Sequence, residues 1–238
     1  MQNAAKARSE TETAWAGLSV ASVPLVPLVE GALWWPDERT LVVADLHLEK
    51  GSAFARRGQM LPPYDTMATL RRLSALLARM APSRVIALGD SFHDRNGGDR
   101  LNEVDRASLR TMTASAEWIW IAGNHDPEPP RDLGGWATRE LSIGPLTFRH
   151  EPRLDARPGE IAGHLHPSAR VVGRGRSIRR RCFAADGKRL VLPAFGALAG
   201  GLNVLDEAFL PLFDGRAFHA WVLGDAVHAI AGRRLVGD

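Results

Sequence analysis

The sequence has almost no cysteine and no long, uninterrupted hydrophobic run. Cys182 is the only cysteine among the 238 residues, so an intramolecular disulfide is excluded and a reducing compartment is expected. The longest apolar stretch, residues 18–29, is too short to cross a bilayer and contains Pro24 and Pro27, which would break a helix. We therefore expect a cytoplasmic protein with no membrane association, and an early edge strand at this stretch.

The sequence also has little excess charge. Its 30 basic and 27 acidic residues leave a net charge of +3, which is too small to indicate nucleic-acid binding by itself. Hydrophobic residues at 45% and charged residues at 24% are typical of an ordinary globular protein. Residues 1–16 show no periodicity, so we expect a flexible leader followed by a single domain over 17–238.

Strand and helix patterns alternate through the first half of the chain. Apolar runs at 40–44, 84–88 and 117–122 predict buried strands. Helical spacing between Met67 and Leu77, and the segment 102–115, predict helices between those strands. This alternation is typical of an α/β fold with parallel strands. From about residue 139 the pattern changes to short strands and turns, which predicts a β-rich second half.

Side chains that can bind metals follow five of the predicted strands. In chain order they are Asp45 and His47, Asp90, Asn124, His150, and finally His164 and His166. The carboxyl ends of the strands in an open α/β sheet share one edge, so these groups can converge. Carboxylate, amide and imidazole ligands without cysteine favour two divalent ions, manganese before iron or zinc, over a structural zinc site.

A simpler explanation is available for each of these residues alone. A lone aspartate after a strand is usually a turn residue or a helix N-cap, and a lone histidine is usually an ordinary surface or core group. For Asp126, which precedes Pro127, the turn explanation and a functional role both remain open. Turn formation alone does not demand histidine at so many strand ends, so the set as a whole favours a metal centre.

The motifs ADLH, LGD, GNHD, RHEP and GHLH occur in this order between residues 41 and 167. Together they resemble the calcineurin-like metallophosphoesterases. That resemblance implies a sandwich of two mixed β-sheets flanked by helices. The longer stretches ADLHLEKGSAFARRG, LGDSFHD and CFAADGKRLVLPAFGALAGGLNV resemble its bacterial ligase-associated DNA-damage-response branch, of PdeM type. Glu49 stands where glycine is expected in that branch.

The resemblance also implies roles for individual residues. One metal would be held by Asp45, His47 and His166, the other by Asn124, His150 and His164, with Asp90 bridging the two. A hydroxide between the metals would attack phosphorus. His125 would protonate the leaving oxygen, and Asp94 or Asp126 could orient its ring. Asp126 is also the candidate for fixing the turn.

Basic residues cluster after the last metal motif. The predicted nucleic-acid contacts are Lys50, Arg174, Arg176, Arg179, Arg180 and Arg181. Such clusters bind phosphates electrostatically, but an exposed hairpin with solvent-facing arginines explains them equally well.

Three functions are consistent with the sequence. The first is a two-metal endonuclease or phosphodiesterase acting on DNA in repair. The second is a small-molecule phosphoesterase acting on nucleotides or cyclic nucleotides, which would have a closed, narrow pocket. The third is a non-catalytic module recruited to a repair ligase or helicase.

Overall fold

The computed structural model describes residues 17–128, 131–173 and 175–238. The predicted leader, residues 1–16, and the predicted phosphate contact Arg174 lie outside the described residues. Within the described part, no helix combines the length and apolar character needed to cross a membrane.

A six-stranded sheet forms the first layer, and a separate short hairpin precedes it in the chain. The hairpin consists of β1 (Ser19–Val20) and β2 (Val23–Pro24). The sheet has the order β3 (Val26–Pro27), β4 (Leu33–Trp35), β5 (Thr40–Val43), β6 (Arg84–Leu88), β7 (Glu117–Ile121) and β8 (Trp136–Thr138). Strands β5 to β8 are parallel, whereas β3, β4 and β5 pair antiparallel. The predicted parallel strands and the early edge strand are therefore confirmed.

Among the described residues, four helices accompany this sheet. They are α1 (Lys50–Ala55), α2 (Asp65–Met80), α3 (Gly97–Arg100) and α4 (Glu103–Ala114). Helix α2 contains the predicted segment between Met67 and Leu77, and it ends where Ala81 adopts a left-handed conformation before Pro82. Helix α4 begins at the N-cap Asn102, whose side chain accepts a hydrogen bond from the backbone N–H of Asp105.

A nine-stranded mixed sheet forms the second layer. Its strands are β9 (Glu140–Ile143), β10 (Leu146–Arg149), β11 (Glu160–Ala162), β12 (Pro167–Gly173), β13 (Arg176–Ala185), β14 (Arg189–Val191), β15 (Leu202–Asn203), β16 (His219–Leu223) and β17 (Val227–Ala231). Most neighbours pair antiparallel, but β10 with β11, β11 with β14, and β12 with β15 are parallel. The predicted β-rich second half is confirmed.

The core lies between the two sheets. Val42, Ile86 and Ile119 of the first sheet belong to the same buried cluster as Phe148 and Ile161 of the second. This burial fixes the two sheets face to face, and so it also fixes the strand ends that carry the site.

Different structures cover the two outer faces. The first sheet is covered by α2 and α4, which bury side chains such as Leu73 and Leu109 against it. The second sheet is covered on its outer face by an irregular segment that includes the 3₁₀ turn Glu207–Phe209 and buries Phe213. The predicted flanking helices are therefore present on the first sheet, and an irregular segment takes their place on the second.

Candidate metal centre

The predicted ligands converge at one edge of the sandwich, and both sheets contribute. Asp45 and His47 follow β5, Asp90 follows β6 and Asn124 follows β7, whereas the remaining histidines follow β10 and β11 of the second sheet. Backbone bonds tie these ends together. The backbone N–H of His47 donates to the carbonyl of Asp90 at 2.9 Å. The backbone N–H of Gly163 donates to the carbonyl of His150 at 2.9 Å.

The first ligand cluster contains Asp45, His47 and His166, whose ligand atoms all lie within 4.8 Å of one another. The Nε2 atoms of the two histidines are 3.3 Å apart, and Nε2 of His166 is 3.2 Å from Oδ1 of Asp45. Asp45 is fully buried, and its Oδ1 accepts no hydrogen bond from any described residue. A buried carboxylate oxygen with no donor is costly unless a cation meets it, so this cluster fits a divalent metal.

The second ligand cluster contains Asp90, His150 and His164, again within 4.8 Å of one another. Nε2 of His150 lies 3.2 Å from Nδ1 of His164, 3.4 Å from Oδ2 of Asp90 and 2.8 Å from Oδ1 of Asn124. The amide oxygen of Asn124 therefore joins the cluster, as the sequence predicted. The donor set of oxygens and imidazole nitrogens suits a hard to borderline cation.

The two clusters are adjacent. Nδ1 of His150 lies 3.8 Å from Oδ1 of Asp45, and Oδ2 of Asp45 accepts a hydrogen bond from the backbone N–H of His164 at 3.0 Å. The structure thus brings together all seven predicted ligands in a form that suits a dinuclear centre. The bridging role of Asp90 stays a prediction.

Five of the seven ligand residues have backbone conformations that side chains rarely adopt. The φ angles are 54° for Asp45, 44° for His47, 44° for Asp90, 69° for His164 and 47° for His166. Strained, left-handed residues cluster at functional sites, where the surrounding fold holds them in place. This concentration of strain supports a functional centre independently of the ligand chemistry.

The charges in the centre are strongly coupled. Burial lowers the pKa of His47 to about 4, which leaves its imidazole neutral and able to bind a metal. Burial opposes a charge on both Asp90 and His150, yet their mutual contact lowers the pKa of Asp90 to about 2 and raises that of His150 to about 9, with Asp45 contributing to the second shift. The buried carboxylates therefore favour positive charge at this centre.

His125 lies at the open side of the centre. Its side chain is 42% exposed, and its Nε2 is 3.8 Å from Oδ2 of Asp90. Its Nδ1 lies 2.9 Å from the backbone carbonyl of His93. Since a carbonyl can only accept, Nδ1 carries a proton and Nε2 is the nitrogen that faces the centre.

Neither carboxylate predicted to orient His125 does so. Asp94 instead binds Arg100 through two contacts of 2.8 Å, because the chain turns its side chain toward α3. Asp126 is buried and accepts a hydrogen bond from the backbone N–H of Phe92 at 2.9 Å, and burial raises its pKa to about 7. The turn explanation of Asp126 fits this contact. The backbone carbonyl of His93, rather than a carboxylate, orients the His125 ring.

The His93 side chain was not among the predicted site residues, although His93 follows the second motif. Its ring is stacked on that of His125 at 5.5 Å between centroids and lies 5.6 Å from that of His47. The short spacing between Asp90 and His93 was the sequence signal that could have placed His93 at the site.

Glu49 occupies a position that favours glycine, as the resemblance implied. Its φ is 63°, and its buried carboxylate accepts hydrogen bonds from Ser52 at 2.6 Å and Thr66 at 3.0 Å. The local contacts hold this unfavourable conformation, so the entrance to α1 keeps its tight turn.

The predicted arginine cluster does not form one surface. Side chains alternate along β13, so Arg176 and Arg180 share the outer face with Cys182, whereas Arg179 and Arg181 share the inner face with Phe183. Arg181 is half-buried and donates to the carbonyl of Ala194 at 2.7 Å, which removes it as a surface contact.

Arg179 is also engaged, whereas Lys50 remains near the centre. Arg179 donates to the carbonyl of Gly201 at 2.7 Å and pairs with Asp238. Lys50 lies at the start of α1 with its Nζ 5.8 Å from the centroid of the Phe54 ring. The nucleic-acid roles of Lys50, Arg176, Arg179 and Arg180 stay predictions.

Comparison with known proteins identifies the family of the chain. The model of the calcineurin-like phosphoesterase family matches residues 38–189, which contain all seven predicted ligands, the five strand ends that carry them and most of both sheets. No protein in a search of curated sequences matches the chain significantly.

Two solved structures are similar to the chain. The Pseudomonas putida nuclease MPE is 29% identical with a TM-score of 0.69, covering 90% of this chain and 98% of that chain. Yfce, a phosphoesterase from E. coli, is 14% identical with a TM-score of 0.38, covering 81% of this chain and 98% of that chain. With two adjacent metal-binding clusters inside the matched region, the chain belongs to the calcineurin-like phosphoesterase family and is a metal-dependent hydrolase of phosphoester bonds.

Proposed function

We propose that the protein is a dinuclear phosphodiesterase that cleaves polynucleotide strands and acts in DNA repair. The observation that carries this proposal is the pair of adjacent ligand clusters with an exposed His125 beside them. A nuclease is among the similar solved structures, with 29% identity over 90% of this chain. The ligase-associated sequence motifs support the repair setting, and they make a repair ligase or helicase the partner to test.

The chain's own residues divide the work of the reaction. Asp45, His47 and His166 would hold one cation, and Asn124, His150 and His164 the other, with Asp90 between them. Two bound divalent cations, which we propose to be manganese, supply Lewis-acid activation of water and neutralise phosphate charge.

The proton needed by the leaving oxygen would come from His125. Its Nδ1–H bond to the His93 carbonyl fixes the ring, so Nε2 faces the centre and can deliver a proton there. Asp90 also positions this residue, because its Oδ1 accepts a hydrogen bond from the backbone N–H of His125 at 2.9 Å. This bond holds the loop that carries His125 against the proposed metal ligand Asp90.

An open site favours a polymer over a small molecule. Asn124 and His125 are both exposed, which differs from the closed, narrow pocket expected of a nucleotide phosphoesterase. The small-molecule activity remains the second candidate. Family membership favours either enzyme over the non-catalytic module.

The test is hydrolysis by the purified protein, with manganese or with EDTA, of single-stranded DNA, duplex DNA, cyclic nucleotides and a chromogenic phosphodiester. We expect manganese-dependent cleavage of DNA and of the chromogenic diester. Efficient hydrolysis of cyclic nucleotides without any DNA cleavage would instead support the small-molecule phosphoesterase.

A further inference from the structure

A basic groove lies beside the metal centre, between α1 and the loop that precedes α3. It has a volume of about 480 Å³ and is lined by Ala53, Arg56, Arg57, Asp94, Arg95 and Asn96. This volume is within the range of ligand-binding clefts, which is about 300–1,000 Å³. We call this feature the basic groove.

The three arginines of the basic groove are available to a ligand. Arg56, Arg57 and Arg95 are exposed, and none forms a salt bridge or a side-chain hydrogen bond with another residue that the structure describes. The one acid in the lining, Asp94, is already paired with Arg100, and that contact lowers its pKa below the usual value. The groove therefore presents an uncompensated positive charge.

The two walls of the groove are fixed relative to each other. Arg100 donates from Nε to the hydroxyl of Ser52 in α1 at 2.9 Å, while its other nitrogens bind Asp94. The same guanidinium lies 3.4 Å from the backbone carbonyl of Glu49. Because one side chain bridges both walls, the groove is formed before any ligand binds, which lowers the entropic cost of binding.

His93 relates the position of the groove to that of the metal centre. Asp94 follows His93, whose ring contacts that of Phe54 at 5.5 Å and lies 5.6 Å from that of the ligand His47.

The lining chemistry selects phosphate rather than bases. Guanidinium groups bind phosphate oxygens in a bidentate manner, whereas the six lining residues offer no aromatic face on which a base could stack. We infer that the basic groove binds the phosphates of a single polynucleotide strand on one side of the bond that is hydrolysed. This inference rests on the proposed function and deepens it, because it assigns the substrate path to α1 rather than to the β13 arginines.

The experiment measures binding apart from hydrolysis. Fluorescence anisotropy of a labelled single-stranded oligonucleotide is titrated with protein in EDTA over a range of salt concentrations. The groove variants are the double variant Arg56→Gln with Arg57→Gln, and Arg95→Gln on the opposite wall. The matched control is Arg71→Gln with Arg233→Gln, which removes the same charge from exposed positions elsewhere. Arg176→Gln with Arg180→Gln tests the β13 hairpin.

We expect Kd to rise about tenfold in the double groove variant, since two solvent-exposed ionic contacts with phosphate are lost and each contributes only modestly. The plot of log binding constant against log salt concentration has a negative slope. The magnitude of that slope should decrease by about 0.7 for each phosphate contact removed. Arg95→Gln should also raise Kd, and its slope should change by about half as much as in the double groove variant. The Arg71 and Arg233 control should match wild type.

Two results would overturn the inference. One is a wild-type Kd in both groove variants, which for the double variant is also the Kd of the control that loses the same charge. The other is a larger loss in the Arg176 and Arg180 variant, which would move the binding surface to the hairpin. A wild-type protein that hydrolyses no phosphodiester in manganese would overturn the proposed function instead, since binding in EDTA does not depend on turnover.

Discussion

Single residues in the centre combine a poor backbone conformation with a costly buried charge. Asp45 and Asp90 are buried carboxylates at positive φ, and each left-handed residue of this kind costs roughly 1–3 kcal/mol. The sequence predicted these ligands from their chemistry and their places after strands. It did not predict the backbone strain, because aspartate and histidine carry no signal for a positive φ comparable to that of glycine.

The substitution Asp90→Asn tests the shared ligand at almost constant shape. Removing the negative charge should weaken metal binding and lower turnover by more than about 100-fold, because a direct ligand matters at least as much as the residues that orient ligands. Metal content by elemental analysis and hydrolysis of a chromogenic diester measure the two effects. Wild-type metal content and turnover would show that Asp90 is not a ligand.

The substitution His125→Ala tests the proposed acid. Metal content should stay at the wild-type level, while cleavage of DNA falls by about 10²–10⁴-fold. A diester with a 4-nitrophenolate leaving group needs little protonation, so its turnover should fall much less. An equal loss on both substrates would indicate that His125 does not donate the proton.

At the scale of elements, the order of strands carries most of the predictable information. Strands β5, β6 and β7 have parallel neighbours and end at one edge, which is why residues far apart in sequence could be predicted to meet. The arginines of β13 show the limit of such patterns. Their clustering in sequence is real, but strand alternation divides them between two faces, and the burial of Arg181 depends on contacts with distant segments.

The loops that carry the ligands leave no space for extra atoms, and Gly163 is the clearest case. A Cβ at this position would lie 2.6 Å from Oδ2 of Asp45 and 3.0 Å from the Cβ of Ala44. Gly163→Ala should therefore displace Asp45, reduce the bound metal and lower turnover by at least about tenfold.

The matched control for this substitution is Gly173→Ala. Gly173 lies at the end of β12, where a Cβ would meet nothing within 4 Å, so metal content and turnover should stay at wild-type values. Comparable losses in both variants, measured by elemental analysis and diester hydrolysis, would contradict the steric account.

For the whole molecule, bound cations should stabilise the contact between the two sheets, because each ligand cluster contains residues from both sheets. A ligand at about 100 times its Kd stabilises the folded state by about 2.7 kcal/mol, which in a chain of this size raises Tm by roughly 5–10 °C. Removing metal with EDTA should lower Tm by this amount in a thermal unfolding scan, and manganese should restore it. A Tm insensitive to both would argue against metal at this interface.

The sandwich as a whole was predictable only in part from the residues themselves. Alternating strands and helices predicted the parallel strands of the first sheet and its two longer helices, α2 and α4, and short strands with turns predicted a β-rich second half. The pairing within the nine-stranded sheet follows from long-range contacts, such as β11 with β14, that no local pattern encodes. The segment around Phe213 that covers this sheet lacks helical periodicity, so its role as an outer layer emerged only from the fold.

The most direct test of the account is a crystal structure of the protein soaked in manganese, with anomalous scattering recorded near the manganese edge. Two anomalous peaks are predicted, one among Asp45, His47 and His166, the other among Asn124, His150 and His164, with Asp90 contacting both. A map with no peak in either cluster, at manganese concentrations that support hydrolysis, would contradict the dinuclear centre.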